Sequence, residues 1–293
     1  MESVREFNED PKNQNWLKGV VVLGNFQKLI ESFTDEEIEK FHGELGNQCG
    51  PDHCVKKCDL KNWNPRTNQS PPLDCEVCSR WRDVILTNHT SQHGKVMWSN
   101  SKPHLWSREK WEVAKVYMPG GHKNHNSVGD FDIAALLCLM RQCKYFKKFE
   151  LGGLCDKVSN VRNKIMHAPR YQLEQKDLQD YFNQIRELGE KLARHDPKFK
   201  SLSEDIDEML NLDYRLILPD DIAAQENLKS QREKDLEDLL YVRHTKLTLK
   251  FALFWNMLSF FNHANSIYIC FIYILGCCSG NQEHSGGAGE TRF

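Results

Sequence analysis

The sequence predicts an all-α protein: an up-and-down helical bundle interrupted by a cysteine-rich loop insertion. Three observations carry that prediction. Apolar residues recur at three- and four-residue spacing through several long stretches, the signature of helices with one buried face. Gly, Pro and capping residues fall where those stretches begin and end. Between residues 46 and 105 the periodicity lapses, and Gly, Pro, Asn, Ser, Cys and Trp accumulate instead.

Residues 14–44 read as helix, with Trp16, Val20, Leu23, Phe26, Leu29 and Ile30 on one face. Thr34-Asp35-Glu36-Glu37 has the form of a capping box and predicts a second segment running through Phe41. The insertion at 46–105 is expected to be loop-rich, with one helix near 76–88. Four of the seven tryptophans (Trp63, Trp81, Trp98, Trp106) fall in or beside it, which argues against disorder. Helical texture returns from Trp106 to Met118 and stops at Pro119-Gly120-Gly121. Asp130 is the expected N-cap of an apolar helix carrying Ile133, Leu136, Leu137 and Met140. Leu154, Val158, Val161 and Ile165 form a stripe on the next helix, which Pro169 closes. A further helix spans about Gln175 to Arg194. The shorter amphipathic stretch Leu202, Ile206, Met209 follows, within a charged helical extension at 197–250.

With 293 residues, 40% of them hydrophobic and 27% charged, the chain holds one large domain or two modest ones. A net charge of −2 gives no global attraction to nucleic acid or anionic membrane, so any such attraction must come from a local patch. The polar start, Met1-Glu2-Ser3-Val4-Arg5-Glu6, predicts no secretory signal and hence a cytoplasmic protein. Its 11 cysteines are then expected as reduced thiols, packing residues or metal ligands rather than a disulfide framework.

The chemistry concentrates in Arg162-Asn163-x-x-x-His167. Asn163 and His167 share a helix face, and the long Arg162 side chain can reach round to it. His167 lies in the last turn, where the helix dipole favours an imidazolium. An imidazole that moves a proton on a ribose 2′-hydroxyl or a leaving oxygen, beside a guanidinium that stabilises phosphate charge, suits metal-independent phosphodiester cleavage. Residues 141–170 carry eight basic side chains against two acidic ones. Lys157, Lys164 and Arg170 flank the motif and are the candidate RNA contacts. Weighed alone, an Arg/His pair is common by chance and a basic stretch is usually a solvated face.

The ordered surroundings are more specific. The motif follows Asp130-Phe131-Asp132-Ile133 through Met140-Arg141, which is preceded by Trp111 through Met118-Pro119, and it precedes Leu178 through Tyr181-Phe182. Over about residues 14–196 that set resembles the HEPN-like domain of the DAZ-interacting RING ubiquitin ligase type. It is most similar to a small vertebrate family named for a human X-chromosome open reading frame. The resemblance implies an all-α HEPN-like bundle. It further implies a homodimer that brings Arg162, Asn163 and His167 together across its interface, as metal-independent HEPN endoribonucleases do. Other HEPN-like domains act as non-catalytic dimerisation or protein-interaction modules.

Cys54-x3-Cys58 and Cys75-x2-Cys78 are two close pairs in a segment poor in apolar residues. Four thiolates so spaced can hold a structural Zn2+, with Cys49, His89 and His93 as substitute ligands; four reduced, unliganded thiols are the alternative. Cys138, Cys143 and Cys155 read as packing residues. Residues 251–278 are largely apolar and precede a polar tail at 279–293 expected to be disordered. The apolar run is borderline for a bilayer span: it reads as a membrane anchor with the bundle facing the cytosol, a buried helix, or an atypical C-terminus from splicing.

Overall fold

The structure, a computed structural model, describes residues 2–60, 70–90, 96–212, 214, 216–217 and 270–271. It divides into two compact units, Glu9–Tyr214 and Met1–Asn8 with Arg215–Phe293.

The larger unit is all-α and is organised by one helix. The 8-residue α1 (Glu2–Glu9) lies in the smaller unit as far as Asn8. In the larger, Asp10 caps α2 (Pro11–Cys49): its carboxylate accepts from the Lys12 amide at 2.8 Å, and Pro11 occupies the first turn. The 39 residues of α2 span about 58 Å at 1.5 Å per residue. The second segment expected after Thr34 is a continuation of the same helix. The Thr34 hydroxyl donates back to the Ile30 carbonyl at 2.7 Å, so it serves a mid-helix bond instead of a cap. Trp16, Leu23, Phe26, Ile30, Phe33, Ile38, Phe41 and Leu45 are buried along α2. Around it pack α3 (Glu76–Thr87), α4 (Lys110–Ala114), α5 (Ile133–Gln142), α6 (Leu154–Met166), α7 (Gln175–Leu192) and α8 (Leu202–Asn211).

The aromatic core is centred on Phe33, whose ring lies 5.0 Å from Phe149 and 5.9 Å from Phe199 in edge-on geometry. Two glycines permit close helix approach. A Cβ on Gly19 of α2 would meet Ile165 of α6 at 3.3 Å, and one on Gly189 of α7 would meet the Leu202 side chain of α8 at 2.2 Å.

The insertion is part of this core. Trp81, Trp98 and Trp106 are fully buried, while Trp63 lies outside the described residues. A ring nitrogen of His42 on α2 is 2.7 Å from the Trp106 carbonyl, and the Trp111 indole donates to Asp35 at 3.1 Å. The helix expected over Trp106–Met118 is shorter: α4 passes directly into a tight 3-10 turn at Lys115–Tyr117. The cap of α5 is Asp132, which accepts from the Ala135 amide at 2.8 Å, and not Asp130. Asp130 instead accepts from the amides of Asn126 and Ser127 in the preceding turn, bonds that hold its carboxyl below the usual range.

In the smaller unit, the Asn8 side chain both donates to and accepts from the Leu216 backbone at 2.9 Å. There Leu216–Ile217 pairs antiparallel with Cys270–Phe271. Among the described residues no helix is long and apolar enough to cross a membrane. The apolar run at 251–278 apart from Cys270–Phe271, the tail at 279–293 and most of the charged extension lie outside the described residues.

Candidate functional site

Helix α6 ends at Met166, with His167 as its C-cap; the His167 amide donates to the Asn163 carbonyl at 3.0 Å. Pro169 stops the helix, and Arg170 and Tyr171 adopt left-handed backbone angles, φ 56° and 57°. Such angles cost L-residues about 1 kcal/mol or more each and persist only where neighbours fix them. Here α2 supplies the neighbours. Buried Asn13 donates to the carbonyls of Arg170 and Tyr171 at 3.1 and 2.9 Å. Asn15 donates to Leu173 at 3.1 Å, the Trp16 indole donates to Ile165 at 2.9 Å, and the Trp16 ring lies 5.0 Å from that of Tyr171. The end of α6 is therefore a rigidly held turn. His167, Asn163, Lys164 and Arg170 are all exposed on it.

Arg162 points elsewhere. Its guanidinium bonds the Asp132 carboxylate at the start of α5 at 3.0 Å and the Asn163 side-chain oxygen at 3.2 Å. Among the described residues, no hydrogen bond joins the His167 imidazole to Arg162 or Asn163. The motif thus divides into a half-buried guanidinium held by Asp132 and an exposed imidazole at the helix end.

The basic stretch is also partly neutralised. Arg141 pairs with Asp156, Lys148 with Glu37, Lys157 with Glu187 and Arg162 with Asp132. Of the three candidate RNA contacts, Lys157 is therefore in an ion pair. Lys164 lies 5.3 Å from the Tyr181 ring centroid, and neither it nor Arg170 meets a carboxylate among the described residues.

Asp132 has a second neighbourhood that sequence reasoning missed. The Nδ1 atoms of His122 and His125 lie 2.9 Å apart, with both rings stacked edge-on against Phe131. Burial lowers the pKa of His122, and His125 and Lys115 add to that while Asp132 opposes it. Their loop is tied down by Lys115, a fully buried lysine. Its ammonium donates to Glu112 at 2.7 Å, to the His125 carbonyl at 2.9 Å and to the Lys123 carbonyl at 3.3 Å. Asn100 accepts from the Gly121 and His122 amides at 3.1 Å. A His-x-x-His spacing in a Gly/Asn-rich loop was the only visible signal for this arrangement.

The predicted cysteines do converge. The sulfurs of Cys54, Cys58, Cys75 and Cys78 all lie within 4.8 Å of one another, a set able to hold a metal ion. Cys75 caps α3, and its sulfur accepts from the Cys78 amide at 3.3 Å. Burial raises the Cys54 thiol, but the Cys58 amide and the neighbouring thiols outweigh it and bring it down to about 7. Burial and the Cys54 sulfur push Cys58 up to about 11, and burial raises Cys78 as well. Of the substitute ligands, His89 is buried with its ring stacked on Tyr117 and its backbone paired with that of Cys143, Cys49 stands outside the four-sulfur set, and His93 lies outside the described residues. Cys143 and Cys155 are buried packing residues whose thiols burial pushes up to about 12.

Comparison with known proteins fits this all-α chain. A family model described as a domain of unknown function (DUF4559) matches residues 7–258. The chain belongs to that family. It is also 29% identical over 213 residues to a mouse protein named "Uncharacterized protein CXorf38 homolog", an alignment covering 71% of this chain and 64% of that protein. The chain thus spans less than two thirds of that relative's length. No solved structure matches. The DUF4559 match includes the α6 motif, the histidine loop and all four clustered cysteines.

Proposed function

We propose that this chain is an HEPN-like module that binds RNA at the exposed end of α6, with metal-independent endoribonucleolytic cleavage as the chemistry its motif suits. The observation that carries the reading is His167: an exposed imidazole on a rigid turn, beside Asn163 and between the carboxylate-free cations Lys164 and Arg170. In the cleavage reaction the imidazole removes the ribose 2′-hydroxyl proton, the 2′-oxygen attacks phosphorus to form a 2′,3′-cyclic phosphate as the P–O5′ bond breaks, and the imidazolium returns the proton through water to the leaving 5′-oxygen. Arg162 would stabilise the charge on the phosphate oxygens, in a homodimer that supplies the second half of the site.

The test is incubation of the purified full chain with structured and unstructured RNA in EDTA. Cleavage lost in His167→Ala, with binding weakened in Arg170→Ala, supports the proposal. Absence of binding at low salt sinks it.

One observation favours a second reading, a non-catalytic dimerisation or protein-interaction module. The Arg162 guanidinium is already engaged by Asp132 and Asn163, as in a structural role. That reading predicts that Arg162→Ala changes oligomeric state, by light scattering, in a protein with no RNA activity to lose.

A further inference from the structure

We infer that Cys54, Cys58, Cys75 and Cys78 together bind one Zn2+ ion as a closed structural site that holds the insertion onto the bundle. The geometry comes first. A tetrahedral zinc with Zn–S bonds of about 2.3 Å requires sulfur–sulfur edges of about 3.8 Å. Cys54 and Cys75, one from each pair, stand 3.8 Å apart, and no pair in the set exceeds 4.8 Å. A disulfide would need about 2.05 Å, so the sulfurs are spaced around a shared centre rather than paired.

The ligand set selects the ion. Four thiolates with no carboxylate or imidazole are soft donors, which suit zinc and discriminate against calcium or magnesium. All four positions come from protein, which leaves no open coordination site for catalysis. Binding converts four thiols to thiolates and releases four protons, giving a centre of charge −2. Lys56 and Lys57, exposed between the first two ligands, offset that charge.

The surrounding chain shows what the ion would do. In residues 51–60 every side chain except Cys54, Cys58 and Leu60 is exposed, and Val55 is 90% exposed. This polar segment has no helix and no apolar face to anchor it, so its cysteines provide its inward contacts. Hydrogen bonds outside the sulfur shell orient it: a His104 ring nitrogen lies 3.0 Å from the Cys58 carbonyl, and Lys56 donates to the Asp74 carbonyl at 2.8 Å, next to Cys75. The site therefore joins 51–60 to the start of α3, which packs on α2.

The test uses the full chain, purified without chelator, with its metals measured by inductively coupled plasma mass spectrometry. One zinc per chain is expected, released by a mercurial reagent as four further thiols become titratable. Cys54→Ser and Cys58→Ser should each lose zinc, whereas Cys49→Ser should retain it. Wild-type measurement needs no variant to fold, so it decides the matter alone. Metal-free protein with all four thiols alkylated, a disulfide within the set, or iron in place of zinc would each overturn the assignment.

Discussion

Replacing Lys115 with Met should destabilise the bundle more than any surface change, because the lysine is wholly enclosed. Its ammonium satisfies the Glu112 carboxylate and two backbone carbonyls, those of Lys123 and His125. Breaking a buried ion pair from one side costs about 3–5 kcal/mol, since the remaining charge is left uncompensated. Glu112 keeps one bond, from the Lys102 amide at 2.7 Å, which limits the cost on its side. The two carbonyls add about 1 kcal/mol or more unless water reaches them. A total near 4–5 kcal/mol compares with the roughly 5–15 kcal/mol that a domain has available. Urea unfolding followed by far-UV circular dichroism should show the midpoint fall with little change in slope. The double variant Glu112→Gln/Lys115→Met should recover about 2 kcal/mol, because it no longer buries a lone carboxylate. A single-variant cost below about 1 kcal/mol, or a double variant no better than the single, would refute this account of the pair.

Three other outcomes follow from the same contacts. Gly189→Ala gains about 1 kcal/mol of helix propensity but places a Cβ 2.2 Å from a buried Leu202 methyl, an overpacking cost of about 1–3 kcal/mol. A net loss is expected by thermal unfolding, and in a Leu202→Ala background the same glycine substitution should no longer destabilise. Asn13→Ala removes the donor shared by the Arg170 and Tyr171 carbonyls and should cost about 1–3 kcal/mol, with faster tryptic cleavage after Arg170. His122 has a folded pKa below its ordinary 6.5, so below that pH the unfolded chain takes up a proton the folded one resists. Stability should therefore fall as pH drops from 6.5 toward the folded value. His122→Asn should flatten that limb of a urea-midpoint profile.

Much of the fold was legible because it rests on local periodicity. Leu154, Val158, Val161 and Ile165 are all buried in α6, as their spacing required, and α7 and α8 follow their stripes in the same way. What failed was local chemistry with two uses. The Thr34 hydroxyl can cap a helix or bond back within one, and only the packing of Phe33, Ile38 and Phe41 on the same continuous face selects the second. Asp130 was the expected cap of α5, and Asp132, two residues on, takes that role. The turn at Ser127 engages the Asp130 carboxylate, which leaves it unable to cap α5. The cysteine cluster was visible as two close pairs because metal-ligand spacing is local within each pair. The histidine loop was not, since it depends on Lys115 and Asn100, which neighbour it only in space.

Charge shows the limit of linear reading most clearly, and it has a measurable consequence for the RNA proposal. Counted along 141–170 there are eight cations, but four are in ion pairs, three of these with acids from other parts of the chain: Glu37, Asp132 and Glu187. A cation already held in an ion pair neutralises no phosphate while that pair lasts, so it displaces none of the counterions condensed on the RNA. Binding to single-stranded RNA changes log K by about −0.7 per log unit of salt for each phosphate neutralised. If Lys164 and Arg170 are the contacts, the slope should be about −1.4; eight free cations would give a slope nearer −5 or −6. Asp132→Asn is the informative variant, since Asn caps α5 as well as Asp does while releasing the Arg162 guanidinium. It should steepen the slope by about 0.7 and raise affinity at low salt, at a stability cost of about 1 kcal/mol for a half-exposed pair. A wild-type slope near −5, or a slope in Asp132→Asn no steeper than the wild type, would show that RNA does not read this face as two free cations with a third held in reserve.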